Sequence, residues 1–191
     1  MINTFSCNSL KVLDNSYEEF KRKYILKLDF LEKNEEAIIG NKFHFLISCL
    51  LKGQNFEKME KSLNEEEFKI WNDVKNSEII NFATLCFEKY IEQPFLIKEN
   101  LNGNNFYLTG RFDAVVKNND KYTILDWKTK NLPKNPEFDL QTIVYFEAAS
   151  KLFKTENLEM FYYSLVDKTS VCIQYKNNLD KIKQIVSKII Q

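Results

Sequence analysis

Apolar and polar positions alternate along this chain of 191 residues with two different periods, and the period changes near Pro94. Before that point the apolar residues recur every three or four positions, the spacing of one face of a helix. Residues 16–33 carry Tyr17, Phe20, Tyr24, Leu28 and Leu31 in this spacing, with Ser16 as N-cap and Glu19 placed to complete a capping box. A second helix is predicted over 34–51, with Phe43, Leu46, Ile47 and Leu50 as its stripe and Gly53 as its stop signal. A third is predicted over 63–90, broken in the polar stretch 75–77.

From Pro94 onward the segments IEQPFLIKE, NNFYLTGRFDAVV and KYTILDWK alternate in type and are rich in β-branched and aromatic residues, the signature of three successive strands. Helical spacing returns over 137–153. Two more strands follow at EMFYYSLVD and SVCIQYK, and LDKIKQIVSKII reads as a closing amphipathic helix. This order points to an α/β or α+β fold, a mixed sheet with helices packed on it and a helical N-terminal region.

Composition narrows the picture. The length and the 44% hydrophobic content suit one domain over 1–191, with a helical part over about 1–90 and a sheet-containing core over about 91–191. Twenty-seven basic and 27 acidic residues cancel, which excludes a protein-wide positive field but leaves room for a basic groove beside an acidic site. Cys7, Cys49, Cys86 and Cys172 have no metal-finger spacing and are expected to be buried free thiols in a reducing compartment. With neither a signal-peptide pattern nor a long apolar run, the expectation is a cytoplasmic protein with no membrane contact.

The stretch GRFDAVVKNNDKYTILDWKTK carries the chemistry. A turn at Asn119 and Asp120 makes it a hairpin in which Asp113 faces Asp126 and Arg111 faces Lys128, all on one face. Opposed Cβ atoms lie roughly 4.5–5.5 Å apart, and two carboxylates at that separation repel by about 3 kcal/mol at an effective dielectric of about 20. Positive charge is therefore required between them. Either Arg111 and Lys128 supply it in a surface salt-bridge lattice, or a divalent cation does.

GRFD, then DWK, then QTIVY on the next predicted helix resemble the GxxD, (D/E)xK and QxxxY signatures of the PD-(D/E)XK nuclease superfamily, in particular its RecB-like branch. GNKFH, with Gly40 and His44, is similar to the upstream helical histidine setting of that branch. The resemblance covers roughly 40–166, and Phe112 stands where the superfamily's name has Pro. It implies a restriction-endonuclease-like mixed central sheet flanked by helices. It also implies Asp113, Asp126 and Lys128 as catalytic residues, and His44, Asp113, Asp126 and the Trp127 main-chain carbonyl as metal ligands. Gln141 and Tyr145 on one helix face, with Arg111 and Glu92, would bind substrate or support the site, Glu92 in a supporting role.

The implied activity is divalent-metal-dependent hydrolysis of DNA phosphodiester bonds, single or double stranded, as an exonuclease. It would serve repair, recombination or degradation of foreign DNA, beside a helicase or other repair or defence proteins. An imidazole ligand leaves Mn²⁺ beside Mg²⁺ as the ion. The rival readings are a CRISPR-adaptation-type RecB-like exonuclease and a non-catalytic nucleic-acid-binding module of the same fold. The first needs a cysteine-held iron–sulfur cluster, which the cysteine spacing does not lead one to expect.

Overall fold

A computed structural model describes residues 2–28, 35–129 and 131–190. The chain opens with a short strand, β1 (Thr4–Ser6), and runs straight into α1 (Cys7–Asn15), whose N-terminus is closed by a reciprocal Ser6/Ser9 capping box. α2 (Tyr17–Phe20) continues into a π-helical turn over Lys21–Ile25, and α3 (Glu35–Leu51) follows. Ser16 caps α2 as expected by accepting from the Glu19 N–H. The remainder of the helix predicted over 16–33 is shorter than expected up to Leu28, and residues 29–33 lie outside the described ones.

α4 (Glu57–Glu60), α5 (Glu65–Lys75) and α6 (Glu78–Leu85) occupy the third predicted helical region. The break falls where the polar stretch placed it, because Ser77 caps a new helix by accepting from the Ile80 N–H. The last predicted helical residues are instead the start of β2 (Glu88–Leu101). β3 (Asn104–Asn118) and β4 (Lys121–Lys128) follow, then a 3-10 turn, α7 (Leu140–Phe153), β5 (Leu158–Ser164), β6 (Ser170–Gln174) and α8 (Leu179–Val186).

These strands form one mixed sheet of six strands among the described residues, in the order β1-β3-β4-β5-β6, with β2 on the other side of β3. β3 is the axis. Along one edge it pairs antiparallel with β2 over its whole length, through a two-residue turn at Asn102 and Gly103, both left-handed. Its other edge is shared: β4 takes the half from Ala114 to Asn118, and β1 runs parallel beside Tyr107 to Thr109. α7 carries the chain from β4 back to its parallel neighbour β5.

Two apolar layers sandwich the sheet. Leu10, Leu13, Phe20, Val144, Ile182 and Val186 pack with Ile124, Val115 and Phe112 on one face. On the other face Phe43, Leu46, Ile47, Trp71, Val74 and Ile80 pack over Ala114, Val116, Leu125 and Trp127, where the alternation of β4 predicts that Leu125 and Trp127 meet helices.

The alternation of β2 and β3 changes phase midway. Val115 faces the first layer, yet so does Phe112; Tyr90 faces it, yet so does Phe95. Both strands absorb one extra residue at the same level, because Ile91 pairs with Ala114 and Gln93 with Phe112 while Glu92 and Asp113 between them are unpaired. Glu92 adopts a left-handed φ of 55°, a strained value for a residue with a side chain.

The four cysteines are free. Cys49 and Cys86 are buried as expected and Cys7 is half-buried, its thiol pushed up to about 12 by burial. Cys172 departs from the expectation: it lies exposed on β6, the last strand of the sheet, where one side of the strand faces solvent. Among the described residues no helix is long and apolar enough to cross a membrane.

Just before the phase change, the Phe95 ring lies across Gly110 on the paired strand. A Cβ at residue 110 would sit 2.5 Å from Phe95 Cζ. Gly110→Ala is expected to lower the free energy of unfolding by about 1–3 kcal/mol in urea denaturation. A variant as stable as the parent would show that the ring yields without cost.

Candidate active site

The turn at Asn119 and Asp120 sets the hairpin register expected from the sequence, with Val115 opposite Ile124 and Ala114 opposite Leu125; Asn119 takes the left-handed conformation. The ladder stops there. The next residue, Asp113, turns its carboxylate to the backbone of β4, where Oδ2 accepts the Trp127 N–H at 3.0 Å. Arg111 consequently does not face Lys128. Its Nε pairs with Glu92 Oε2 at 2.7 Å, because the phase change sends it to the outer surface beside β2.

α3 brings His44 over this gap. Its Nδ1 lies 3.2 Å from Asp113 Oδ1 and its Nε2 lies 3.1 Å from the Trp127 carbonyl oxygen. Both neighbours are acceptors, so making both contacts requires a hydrogen on each ring nitrogen, the imidazolium form. Burial alone would lower the His44 pKa, but the hydrogen bond and charge of Asp113, with smaller contributions from Asp126 and Glu92, leave it raised. Gly40, one turn earlier, packs against Thr129. A methyl there would touch Oγ1 at an ordinary 3.4 Å, so steric demand does not explain this glycine.

His44, Glu92 and Asp113 each offer a ligand atom within 4.8 Å of the others, a group that could hold a metal ion. Two carboxylates and one imidazole, beside a peptide carbonyl, make a donor set suited to Mg²⁺ or Mn²⁺. Glu92, expected only as support, thus stands among the potential ligands. Its own carboxyl is raised by burial, against which Arg111 acts and to which Asp113 adds.

Asp126 belongs to a second knot. It is 2% exposed, and Lys128 Nζ lies 2.6 Å from its Oδ1 in an ion pair. Gln141 completes the knot from the first turn of α7, donating from Nε2 to Asp126 Oδ2 at 2.5 Å and accepting from Lys128 Nζ at 2.8 Å. Asp139 fixes that turn as the N-cap, taking the Gln141 N–H at 2.8 Å. The Lys128 ammonium also sits 5.2 Å above the Tyr162 ring.

One turn further on, Tyr145 is buried against Phe95 and Phe112 and donates its hydroxyl to the Arg111 carbonyl at 2.8 Å. It therefore braces β3 at the phase change and is not at hand for a ligand. Of the residues expected at the site, His44, Asp113 and Glu92 form one group and Asp126, Lys128 and Gln141 a second knot, while Arg111 pairs with Glu92 at the outer surface and Tyr145 lies buried beneath β3.

A mixed sheet covered by helices on both faces, with acids and a lysine gathered where its central hairpin splays, is the restriction-endonuclease-like architecture. The chain belongs to the PD-(D/E)XK nuclease superfamily, whose profile matches residues 4–191. Nucleases of this superfamily are in general hydrolytic, act on nucleic acid and use divalent metals. The crystal structure of SSO0001 resembles the chain with a TM-score of 0.56 at 19% identity, covering 98% of this chain and 75% of that one. That likeness shows the fold alone. No curated protein is similar enough to the chain to count as a match.

Burial, and secondarily the charge of Asp113, raise the Asp126 carboxyl to about 7, against the opposing pull of Lys128. The folded protein thus holds this proton more tightly than the unfolded chain does. The contribution to stability is complete below about pH 4, near the ordinary carboxylate value, and is lost as pH rises towards 7. In EDTA, Asp126→Asn is expected to melt a few degrees above the parent at neutral pH, with the gap closing towards pH 4. A melting point equal to or below the parent's at pH 7 would mean that Lys128 already neutralises the acid.

Proposed function

We propose that the chain is a divalent-metal-dependent deoxyribonuclease of the RecB-like branch, hydrolysing phosphodiester bonds as an exonuclease in repair, recombination or the degradation of foreign DNA. The observation that carries this reading is the helical His44 set against Asp113 and the Trp127 carbonyl, with Glu92 in reach. His44, Glu92 and Asp113 would hold the ion, with the Trp127 carbonyl and Asp126 beside them. A divalent ion bound there supplies charge neutralisation at the scissile phosphate and acidifies water.

The remaining work falls to side chains of this chain. Lys128 is the group able to orient the attacking water or meet charge developing on the phosphoryl oxygens, and its partners Asp126 and Gln141 fix where its Nζ points. Gln141 keeps that geometry by contacting both members of the pair. Arg111, with its side chain 63% exposed, can meet a neighbouring phosphate of the same strand. The buried Tyr162 ring under Lys128 gives the ammonium a low-polarity floor, which strengthens its interaction with an anion.

The test is cleavage of labelled linear and circular DNA, single and double stranded, in Mg²⁺, Mn²⁺ or EDTA. Lys128→Ala is expected to lose at least about 100-fold in rate while remaining folded; cleavage at the parental rate would remove its assigned role. In titration calorimetry, His44→Ala and Asp113→Asn should each weaken Mn²⁺ binding by roughly tenfold or more. Failure of the parent protein to take up Mn²⁺ would overturn the metal-dependent reading.

A further inference from the structure

Beyond the phase change, the β2–β3 hairpin and β1 bury only one face. Phe95, Ile97, Phe106, Leu108 and Phe5 point into the core. Among the described residues no element covers the opposite face, and the registers assign its rows. Thr4, Tyr107 and Lys98 lie side by side across the three strands, Ser6, Thr109 and Leu96 form the next row, and Arg111 and Pro94 the next. Glu92 and Asp113 come directly after. The rows therefore lead along β3 for about 20 Å, at roughly 3.3 Å per residue, and end at the candidate active site.

None of these eight positions is acidic. They offer a half-buried tyrosine ring, a leucine that is 63% exposed, three hydroxyls and two cations. At the far end, Asn3, Thr4, Ser6 and Thr109 border a cavity of about 420 Å³ together with Tyr24 and Lys27, a volume within the range of small-molecule sites.

We infer that this face is a binding platform for single-stranded DNA, which guides one strand into the site. Charge complementarity supports an anionic occupant, because Lys98 stands on the face with no carboxylate among its rows, and the carboxylate at its edge, Glu92, is taken up by Arg111. The modest number of cations argues for a single strand over a duplex. Duplex binding draws on many phosphate contacts, whereas unpaired bases stack on an aromatic ring such as that of Tyr107. Arg111 is already paired with Glu92, which leaves base stacking and hydroxyl contacts as the main source of affinity. The inference rests on the nuclease reading only for the direction in which the strand is fed.

The test is metal-free binding of a labelled oligodeoxythymidylate by the full chain in EDTA, followed by fluorescence anisotropy at several salt concentrations. The parent is expected to bind it more tightly than a duplex of equal length. Tyr107→Ala should weaken single-strand binding roughly tenfold, and Lys98→Ala should reduce the salt slope by about 0.7. Lys98 is exposed, so its variant keeps the test valid should Tyr107→Ala fold poorly. Unchanged affinity and slope in the folded variants overturn the inference, as does preference for duplex, absence of binding by the parent, or a dimer in light scattering that buries this face. If the parent cleaves DNA in Mn²⁺ while the variants bind like the parent, the platform falls and the active site stands. If the variants lose binding while the parent never cleaves, the platform stands and the nuclease reading falls.

Discussion

A sheet covered on both sides has no natural place for an acid, since alternate residues enter one apolar layer or the other. This chain makes a place by letting two paired strands each absorb one residue at the same level. Glu92 and Asp113 drop out of the ladder there, and the strained φ of Glu92 marks the local cost. Everything chemical is arranged around that interruption. The Asp113 carboxylate satisfies a backbone N–H of β4, and Tyr145 braces the Arg111 carbonyl next to it.

Each acid of the cluster has its own basic partner, drawn from a different part of the fold. Asp113 meets His44 from the helical layer on one face, Glu92 meets Arg111 on its neighbouring strand, and Asp126 meets Lys128 with Gln141 from the helix on the other face. The site therefore forms only when both layers are docked on the sheet. Burial, with a smaller addition from the charge of Asp113, is why both Glu92 and Asp126 hold their protons more tightly than usual.

Much of this was legible in the letters. A change of period located the sheet, and the even turn at Asn119 and Asp120 fixed the register that aims β4, because two-residue turns with left-handed asparagine leave little choice. Ser77 announced the helix break. Other features were hidden for definite reasons. β1 is three residues long and carries no period of its own. Arg111 does not face Lys128 because strict alternation breaks at a position where both strands lose phase, and no local signal marks Glu92 as a neighbour of His44 and Asp113. The Asn102–Gly103 pair was a readable hairpin signal that joins β2 to β3. Nothing local could show that Gln141 would touch both Asp126 and Lys128, since that depends on how α7 crosses the sheet.

The smallest strand has a long reach. Thr4 pairs with Tyr107, about a hundred residues later, and Phe5 enters the core between Phe20 and Phe106. The central strand therefore cannot finish its second edge until β1 returns to it. Closing so large a loop is entropically costly and slow relative to hairpin formation. Assembly of the sheet should thus end, not begin, with β1, although β1 is synthesised before β3, and the growing chain would carry an incomplete β3 edge until β1 folded back.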